Sequence, residues 1–418
     1  MDKVEIIEKI LLDYSVSKYK IIEKNLFKIQ YKDISETINF DETKLGTLYI
    51  SFNINDKCFK LTVNKSLSEQ DIETLLSKSL GLYKTKTEGT FNLINRTKNT
   101  YKKTANDIKL YTNEFCSKIV KENAKIIFKS IDFKANASYG MEVYNYKMLA
   151  NGKIYNQQFI HSDYFFYKLD DPSVNAYISL NNDLRISSTD LIFKQFDINK
   201  LPQKTIDLSK NILFKSTVVA ELLNSYISCF YADNIYANNS LIKKREILSK
   251  KFNFKFDLIS TPFEGIIFDS DGFFTKDIYL IKDNKLKNIL SNEYFSKILN
   301  IENTGNAVFF DSNSIAYQNI KVIPRCYIRD FKYQFIVDYI KILSFDTATS
   351  NLSAQIIFSE NGNKYQSNLN VNLNYVLEHS FFEEHLHKNN GILCGNMLFV
   401  SSNNYTDRQV LKDNKSNF

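Results

Sequence analysis

The stretch FDSDGFFTKDIYLIKDNKLKNIL, residues 268–290, places a tight turn directly before a hairpin. Asp269 and Asp271 lie just ahead of Gly272, and short acidic side chains at this spacing accept hydrogen bonds from nearby backbone N–H groups. Gly272 supplies the positive φ that such an Asx-type turn requires. A cation held between the two carboxylates is the alternative. Alternating residues on both sides of the Asp283-Asn284 dipeptide then predict two paired strands.

The residues around this stretch predict a mainly β domain built around one helix. Residues 218–230 are apolar and recur at helical spacing, whereas Phe252, Phe254 and Phe256 alternate as in a half-buried strand. Alternation on both sides of Asn361-Gly362 predicts another hairpin with a tight turn.

The N-terminal half predicts helices packed on antiparallel strands. The second helix is expected to begin at Ser68 and to end at Gly81, and a polar linker is expected at residues 84–103. Aromatic-rich strands are expected from residue 126, with a hairpin turn at Asn151-Gly152. The apolar stripes of the three helices are Val4, Ile7, Ile10, Leu11 and Tyr14; Ile72, Leu75, Leu76 and Leu80; and Ile108, Tyr111, Phe115 and Ile119. A hairpin of Ile50, Phe52 and Ile54 with Phe59, Leu61 and Val63 lies between the first two helices.

These patterns together predict an α+β fold, with N-terminal helices on largely antiparallel sheets followed by a mainly β C-terminal domain. A chain of 418 residues is long enough for two or three domains. The proline in LPQKT, residues 201–205, marks the expected boundary. It separates an N-terminal region 1–200, with subsegments of about 1–97 and 98–200, from a C-terminal domain 201–418.

Composition and charge exclude several classes of protein. Hydrophobic residues make up 44% of the chain and aromatic residues 14%, which predicts a globular protein. No window approaches twenty uncharged apolar residues and the N-terminus lacks a signal-peptide pattern, so we expect a cytoplasmic protein without membrane contact. The net charge of +7 is spread along the chain, which argues against nucleic-acid binding. Five scattered cysteines without a C-x-x-C pair suit a reducing compartment.

Residues 260–307 carry four features in order: FDSDG, a threonine at Thr275, the hairpin LIKDNK and a closing NTGNA. This order and spacing resemble the TldD/PmbA family, whose members carry an FDDEG-like turn, a threonine, a LIENG-like hairpin and STGNA. Segments at 45–84 and 148–179 are similar to other parts of the family, so the resemblance covers most of the chain, and the last hundred residues match least. The family-motif positions here are Phe268, Asp269, Asp271, Gly272, Thr275, Thr304, Gly305 and Asn306.

The family has two branches that pair with each other. TldD-like chains carry HExxxH on a helix and a distant cysteine, which together hold zinc, whereas TldE-like chains lack these ligands. Here AELLNS stands at the motif position, so Ala220 and Ser225 replace the two histidines and only Glu221 is kept. A catalytic zinc needs three donor side chains and one open position, and alanine has no donor atom. The resemblance therefore implies the TldE/PmbA-like, non-catalytic branch.

This resemblance implies a pseudoenzyme subunit of a metallopeptidase complex. No cofactor is expected in this chain, and zinc is expected in a TldD-like paralogue that pairs with it as a heterodimer or larger assembly. The expected substrates are unfolded peptides or peptide precursors, held along an exposed sheet edge by main-chain hydrogen bonds. A self-assembling, homodimeric peptide-binding scaffold without a catalytic partner is the alternative.

A histidine cluster near the C-terminus, EHSFFEEHLHK, supports a third hypothesis, an independent enzyme. On a helix His379 and Glu383 would share one face, and His385 and His387 would add metal donors. A charged helix end without a metal explains the same residues. No P-loop, G-x-S-x-G or G-x-G-x-x-G motif is present, and no base accompanies a cysteine nucleophile in the sequence.

Overall fold

The structure of the chain is a computed structural model. It describes residues 2–16, 18–34, 37–54, 57–85, 112–130, 135–150, 152–168, 175–181, 201–247, 249–262, 266–307, 315–316, 319–328, 332–389, 391–401 and 410–412. The chain forms two compact units: Met1–Thr189 with Glu264–Ile267, and Asp190–Phe263 with Phe268–Phe418. Across the described ranges, every helix is too short or too polar to cross a membrane.

The first unit is built on one six-stranded antiparallel sheet. Strand β1 lies near its centre, where Ile21 stands opposite Ile50 of β2 and Leu149 of β4. The elements are α1 (Lys3–Asp13), β1 (Tyr19–Ile34), β2 (Thr37–Ile54), β3 (Lys57–Asn64), α2 (Glu69–Thr85), α3 (Asn113–Ser130), β4 (Ala135–Ala150), β5 (Lys153–Lys168) and β6 (Asn175–Asn181). Their strand order is β3-β2-β1-β4-β5-β6.

Helices α1 and α2 bury most of their predicted apolar stripes in one core with the sheet, whereas Leu75 of α2 is exposed. Asp2 caps α1 by accepting a hydrogen bond from Val4 N at 3.1 Å. Ser68 caps α2, since its Oγ accepts from Asp71 N at 3.1 Å, as the sequence predicts. The predicted end of α2 at Gly81 is wrong. The helix continues to Thr85, because a glycine lowers helix stability without removing a backbone hydrogen bond.

Helix α3 differs from its prediction at both ends. It begins at Asn113 behind a cap at Thr112, whose Oγ1 accepts from Phe115 N at 3.2 Å. It runs to Ser130, so the prediction of strands from residue 126 is wrong. Its buried face is Cys116, Ile119 and Val120, and Phe115 is exposed. The predicted stripe residues Ile108 and Tyr111 and nearly all of the predicted linker lie outside the described residues.

The second unit contains two sheets and several short helices. Its first elements are β7 (Ile212–Phe214), α4 (Ser216–Ile227), α5 (Ala232–Tyr236), β8 (Phe256–Thr261), β9 (Ile278–Lys282), β10 (Lys285–Leu286) and α6 (Glu293–Ile298). Its later elements are β11 (Asn319–Pro324), β12 (Cys326–Ile328), β13 (Phe335–Asp346), β14 (Asn351–Glu360), β15 (Asn363–Asn372), α7 (Leu373–Glu378), β16 (Ser380–Phe382), β17 (His387–Asn389), β18 (Ile392–Cys394), β19 (Met397–Phe399) and β20 (Val410–Lys412). Single 3-10 turns lie at Ser228–Phe230 and Lys244–Glu246.

Helix α4 forms the centre of this unit. One sheet has the order β10-β9-β8-β11-β18-β17 and the other β15-β14-β13-β7-β19-β16-β12-β20. The helix contacts β17 and β18 of the first sheet and β13 of the second. Seven of its residues are buried: Val218, Val219, Ala220, Leu222, Leu223, Tyr226 and Ile227. A helix that is apolar on most of its faces is stable only inside a core, which is where α4 lies. The α+β fold predicted from the sequence, with its mainly β C-terminal region, is confirmed.

The predicted strand through three phenylalanines is only partly formed. Phe256 opens β8, whereas Phe252 and Phe254 precede the strand and are buried without joining its ladder. Their rings stack along the chain, at 5.0 Å from Phe252 to Phe254 and 4.9 Å from Phe254 to Phe256. Tyr226 of α4 meets Phe254 edge-on at 5.9 Å. Ring stacking rather than strand pairing therefore explains the alternation.

The predicted hairpin turns of this unit are present. Asp283 and Asn284 both have positive φ, 52° and 63°, as a tight two-residue turn between β9 and β10 requires. Asn361 and Gly362 do the same between β14 and β15, with φ of 49° and 81°.

Replacement of Phe254 by alanine tests this packing. We expect Phe254→Ala to lower the free energy of unfolding by about 3–5 kcal/mol, because it empties a fully buried ring site. Tyr333→Ala is the control, since Tyr333 is 44% exposed, and its cost should stay below about 1 kcal/mol. Urea unfolding followed by near-UV circular dichroism measures both. If both variants shift the urea midpoint of unfolding by the same amount, the Phe254 ring does not contribute the core packing described here.

Candidate functional site

The FDSDG turn and the NTGNA turn meet at the buried carboxylate of Asp269. Its Oδ1 accepts hydrogen bonds from Asp271 N at 3.0 Å and Phe273 N at 2.9 Å. Its Oδ2 accepts from Ala307 N at 3.0 Å. Three backbone donors compensate for the removal of this side chain, which is 0% exposed, from water. Asp269 thus joins two chain segments that are far apart in sequence.

The second acidic residue of the turn connects it to helix α6. Asp271 Oδ2 accepts from Glu293 N, the first residue of that helix, at 3.2 Å. Gly272 has a φ of 70°, and its N–H donates to Asp269 O at 2.9 Å. The Asx-type turn predicted from the sequence is therefore present. Both carboxylates accept from backbone N–H groups, so the geometry favours this turn over the cation alternative.

Thr304 of the NTGNA turn pairs with Ser291, a residue to which the sequence assigned no role. Thr304 Oγ1 accepts from Ser291 N at 2.7 Å, and Ser291 Oγ accepts from Thr304 N at 3.1 Å. Ser291 Oγ also donates to Glu302 O at 2.7 Å. Both side chains are buried, so these bonds fix the position of the turn. A polar pair directly after apolar Ile289 and Leu290 was the available sequence signal for Ser291 and Asn292. Asn292 caps α6.

Gly305 is required where the two turns pack together. Its φ is 72°, and a Cβ at this position would lie 3.2 Å from Phe274 O and 3.3 Å from Thr275 Cα. Thr275 is buried beneath it. Asn306 Nδ2 donates to Ala316 O at 3.1 Å. We call the residues 268–275, 291–292 and 303–307 the motif clamp, because the family motif residues hold this part of the fold together.

The helix that bears AELLNS is α4. Ala220 is 2% exposed and belongs to the main apolar core of the unit. Glu221 and Ser225 are half-buried, and the Ser225 carbonyl accepts a hydrogen bond from Ser228 Oγ. Residue 220, the first position compared with a zinc-binding histidine in the sequence analysis, is thus a core position that does not face solvent.

The N-terminus of α4 is held by side chains from distant strands. Asn396 Oδ1 accepts from Ser216 N at 2.8 Å and so satisfies one of the unpaired N–H groups of the first turn. Lys215 forms an ion pair with Asp338 of β13, which also accepts from Ser359 Oγ at 3.0 Å. Sequence reasoning missed these residues, because they lie more than a hundred positions apart.

Cys394 lies at the same end of the helix. Its Sγ donates to Ser216 O, with 3.5 Å between the atoms, and the side chain is buried. Burial raises the pKa of the Cys394 thiol to about 12, because the thiolate would lose its hydration. The buried thiol is therefore part of the packing at the start of α4.

These residues do not fit the zinc ion of the TldD-like branch. Ala220 has no donor atom and is buried in the core. Ser225 carries a neutral hydroxyl, which is a weak replacement for an imidazole nitrogen. Among the residues that the structure describes, no three His, Cys, Asp or Glu side chains converge as a metal site.

The histidine cluster does not form the helical metal site considered from the sequence. Helix α7 ends at Glu378, and strand β16 separates His379 from Glu383. His379 instead stacks on Tyr375, with ring centroids 4.1 Å apart, and its Nδ1 lies 2.9 Å from Tyr375 O. Glu383 accepts from Asn396 Nδ2 at 2.8 Å, while His385 and His387 are exposed. The helical spacing assumed for that hypothesis is wrong.

Residues 209–375 match the family model of the PmbA/TldA metallopeptidase C-terminal domain. The matched part of this chain, residues 209–375, belongs to the TldD/PmbA family. The matched range includes helix α4 and the motif clamp, so the family's motif residues lie in the matched domain. No curated protein matches the sequence significantly.

Solved structures share the fold of almost the whole chain. A proposed modulator of DNA gyrase from Bacteroides thetaiotaomicron has a TM-score of 0.69 at 14% identity, over 96% of this chain and 98% of that chain. A second one, from Thermotoga maritima, has a TM-score of 0.63 at 12% identity, over 98% and 99%. TldE from Thermococcus kodakarensis has a TM-score of 0.66 at 13% identity, over 94% and 98%. At such low identity these likenesses show the fold alone.

Removal of one acceptor oxygen from Asp269 tests the motif clamp. In Asp269→Asn an amide group replaces one oxygen and meets a backbone N–H group, so at least one buried donor loses its acceptor. We expect a loss of about 2–3 kcal/mol in the free energy of unfolding. Asp277→Asn, an exposed carboxylate of the same segment, is the matched control. Thermal unfolding of both variants measures the effect, and a wild-type Tm for Asp269→Asn would contradict a structural role.

Proposed function

We propose that this chain is the TldE/PmbA-like, non-catalytic subunit of a metallopeptidase complex. Its partner is a TldD-like paralogue that carries HExxxH and holds the zinc. The complex acts on unfolded peptides or on peptide precursors. This chain contributes the second half of the substrate cavity and no metal ligand.

The observation that supports this proposal most is the place of Ala220 in the core. Introduction of a histidine ring there would overpack a closely filled site. The surrounding helix, by contrast, keeps the fold of a family whose catalytic members place their ligands on it. A chain with the family fold but without zinc-donor atoms on this helix fits a subunit that forms part of the substrate cavity and does not itself perform hydrolysis.

Edge strand β17 offers a surface for an extended peptide beside α4. Within the described residues it pairs with β18 on one side and with no strand on the other. It also contacts α4, the helix at the degenerate zinc position. The long edge strand β15 is less suitable, because residues 202–204 pair with its Gln366. Main-chain pairing at an edge tolerates many peptide sequences, as a peptidase of broad specificity requires.

Hydrolysis by the reconstituted complex tests the proposal. This chain, its HExxxH-bearing paralogue from the same genome and an equimolar mixture are each given an unfolded peptide substrate. We expect hydrolysis in the mixture well above the sum of the separate chains, and its loss on addition of a zinc chelator. A paralogue whose HExxxH glutamate is replaced by glutamine controls for contaminating peptidases.

Two outcomes would overturn the proposal. Chelator-sensitive hydrolysis by this chain alone would mean that it carries its own catalytic metal. Failure of the two chains to form a complex in gel filtration, together with a stable homodimer that binds peptide, would favour the scaffold alternative.

A further inference from the structure

An open cavity of about 430 Å³ lies beside the β9–β10 hairpin of the second unit. This volume is in the range of pockets that hold small ligands. The cavity belongs neither to helix α4 nor to the histidine cluster. The lining residues that decide its chemistry are Lys276, Asp277, Tyr279, Lys282, Lys287 and Asn288.

The walls of this cavity are fixed by the motif clamp and by the hairpin. Lys276 follows buried Thr275 of the clamp directly, and Glu302 is held through its carbonyl by Ser291 Oγ. Lys276 and Glu302 form an ion pair that joins the two segments. On the hairpin side, Asn288 Nδ2 donates to Tyr279 O at 2.8 Å. The cavity is therefore formed before any ligand binds.

The lining carries an excess of positive charge. Lys276 and Glu302 neutralise each other, which leaves Lys282 and Lys287 against one carboxylate of the lining, that of Asp277. Outside the lining, the Asp257 carboxylate also attracts Lys282 electrostatically. Within the described residues neither Lys282 nor Lys287 forms an ion pair, and both side chains are exposed. Lys282 Nζ lies 4.6 Å from the centre of the Tyr279 ring, which orients this ammonium group over an apolar surface.

We propose that this cavity binds the carboxylate of a small acidic ligand. The two ammonium groups supply charge-assisted hydrogen bonds to the carboxylate oxygens. The Tyr279 ring contacts the carbon chain that bears the carboxylate, and the Asn288 Oδ1 atom accepts a hydrogen bond from an adjacent N–H group of the ligand. The site concerns this chain alone, so it does not depend on the proposed pairing with a paralogue.

Two sources provide this chemistry, a free dicarboxylate and a glutamate side chain within a peptide. Glutarate represents the first, and an Ala-Glu-Ala tripeptide with blocked termini represents the second. The blocked Ala-Gln-Ala tripeptide has the same shape without the charge. Isothermal titration calorimetry at low ionic strength measures the affinity of the purified full chain for each ligand.

We expect saturable binding of glutarate or of the Glu tripeptide, and at least about tenfold weaker binding of the Gln tripeptide. The double variant Lys282→Gln/Lys287→Gln should weaken binding of the acidic ligand by about tenfold or more. Lys285→Gln is the matched control, because Lys285 is an exposed lysine of the same hairpin that does not line the cavity. It should change the affinity by less than about twofold.

Three results would contradict the proposal of a carboxylate-binding site. They are the absence of binding for both acidic ligands at millimolar concentration, equal binding of the Glu and Gln tripeptides, and equal weakening by Lys285→Gln and by the double variant. The last result would reduce the effect to general attraction by a basic surface. Circular dichroism of each variant confirms that it is folded, since all three lysines are exposed and none lies in the core.

Discussion

The burial of helix α4 between two sheets is the constraint on which the second unit depends. The helix contacts strands of both sheets, and its apolar residues contribute to a core that extends across the unit. Its first turn is held by Asn396 and by the ion pair of Lys215 with Asp338. A helix held in this way presents few side chains to solvent. The chemistry available at Ala220 is therefore determined by packing, and packing there requires a small apolar residue.

The motif clamp explains why the family motif is recognisable although alanine and serine stand at residues 220 and 225. Asp269 connects two turns, Thr304 pairs with Ser291, and Gly305 allows two backbone segments to approach closely. None of these interactions involves a metal ion or a reacting group. The motif residues form a structural unit next to the core, so their chemistry is that of folding. The contacts within the motif clamp therefore do not depend on which side chains stand at residues 220 and 225.

The sequence was sufficient for elements whose signals are local. The Asp283-Asn284 and Asn361-Gly362 turns require positive φ at both positions, and the Ser68 cap depends on a residue three positions away. Long-range packing was not predictable in the same way. Strand β1 was missed because lysine, glutamate and asparagine interrupt its alternation, although it pairs along its whole length with β2. Phe252 and Phe254 imitate a strand because stacked rings repeat at the same period.

The residues of the candidate site also fall into two groups, those with a local signal in the sequence and those that depend on long-range contacts. The absence of histidine from AELLNS was visible in the sequence, and so was the Asx-type turn at Asp269. The role of Cys394 at the start of α4 was not visible, because it depends on a contact between residues far apart in the chain. The Lys282 and Lys287 cavity was also missed, since charged residues on a hairpin are common and only the fold shows that they line a concave surface.

The zinc content of the purified chain tests the central claim most directly. The chain is equilibrated with zinc, passed through gel filtration and measured by mass spectrometry, with the HExxxH-bearing paralogue treated in parallel. The arrangement of Ala220, Ser225 and Cys394 predicts far less than one zinc per chain here and one per chain in the paralogue. One tightly bound zinc in this chain, removable by a chelator, would contradict the account.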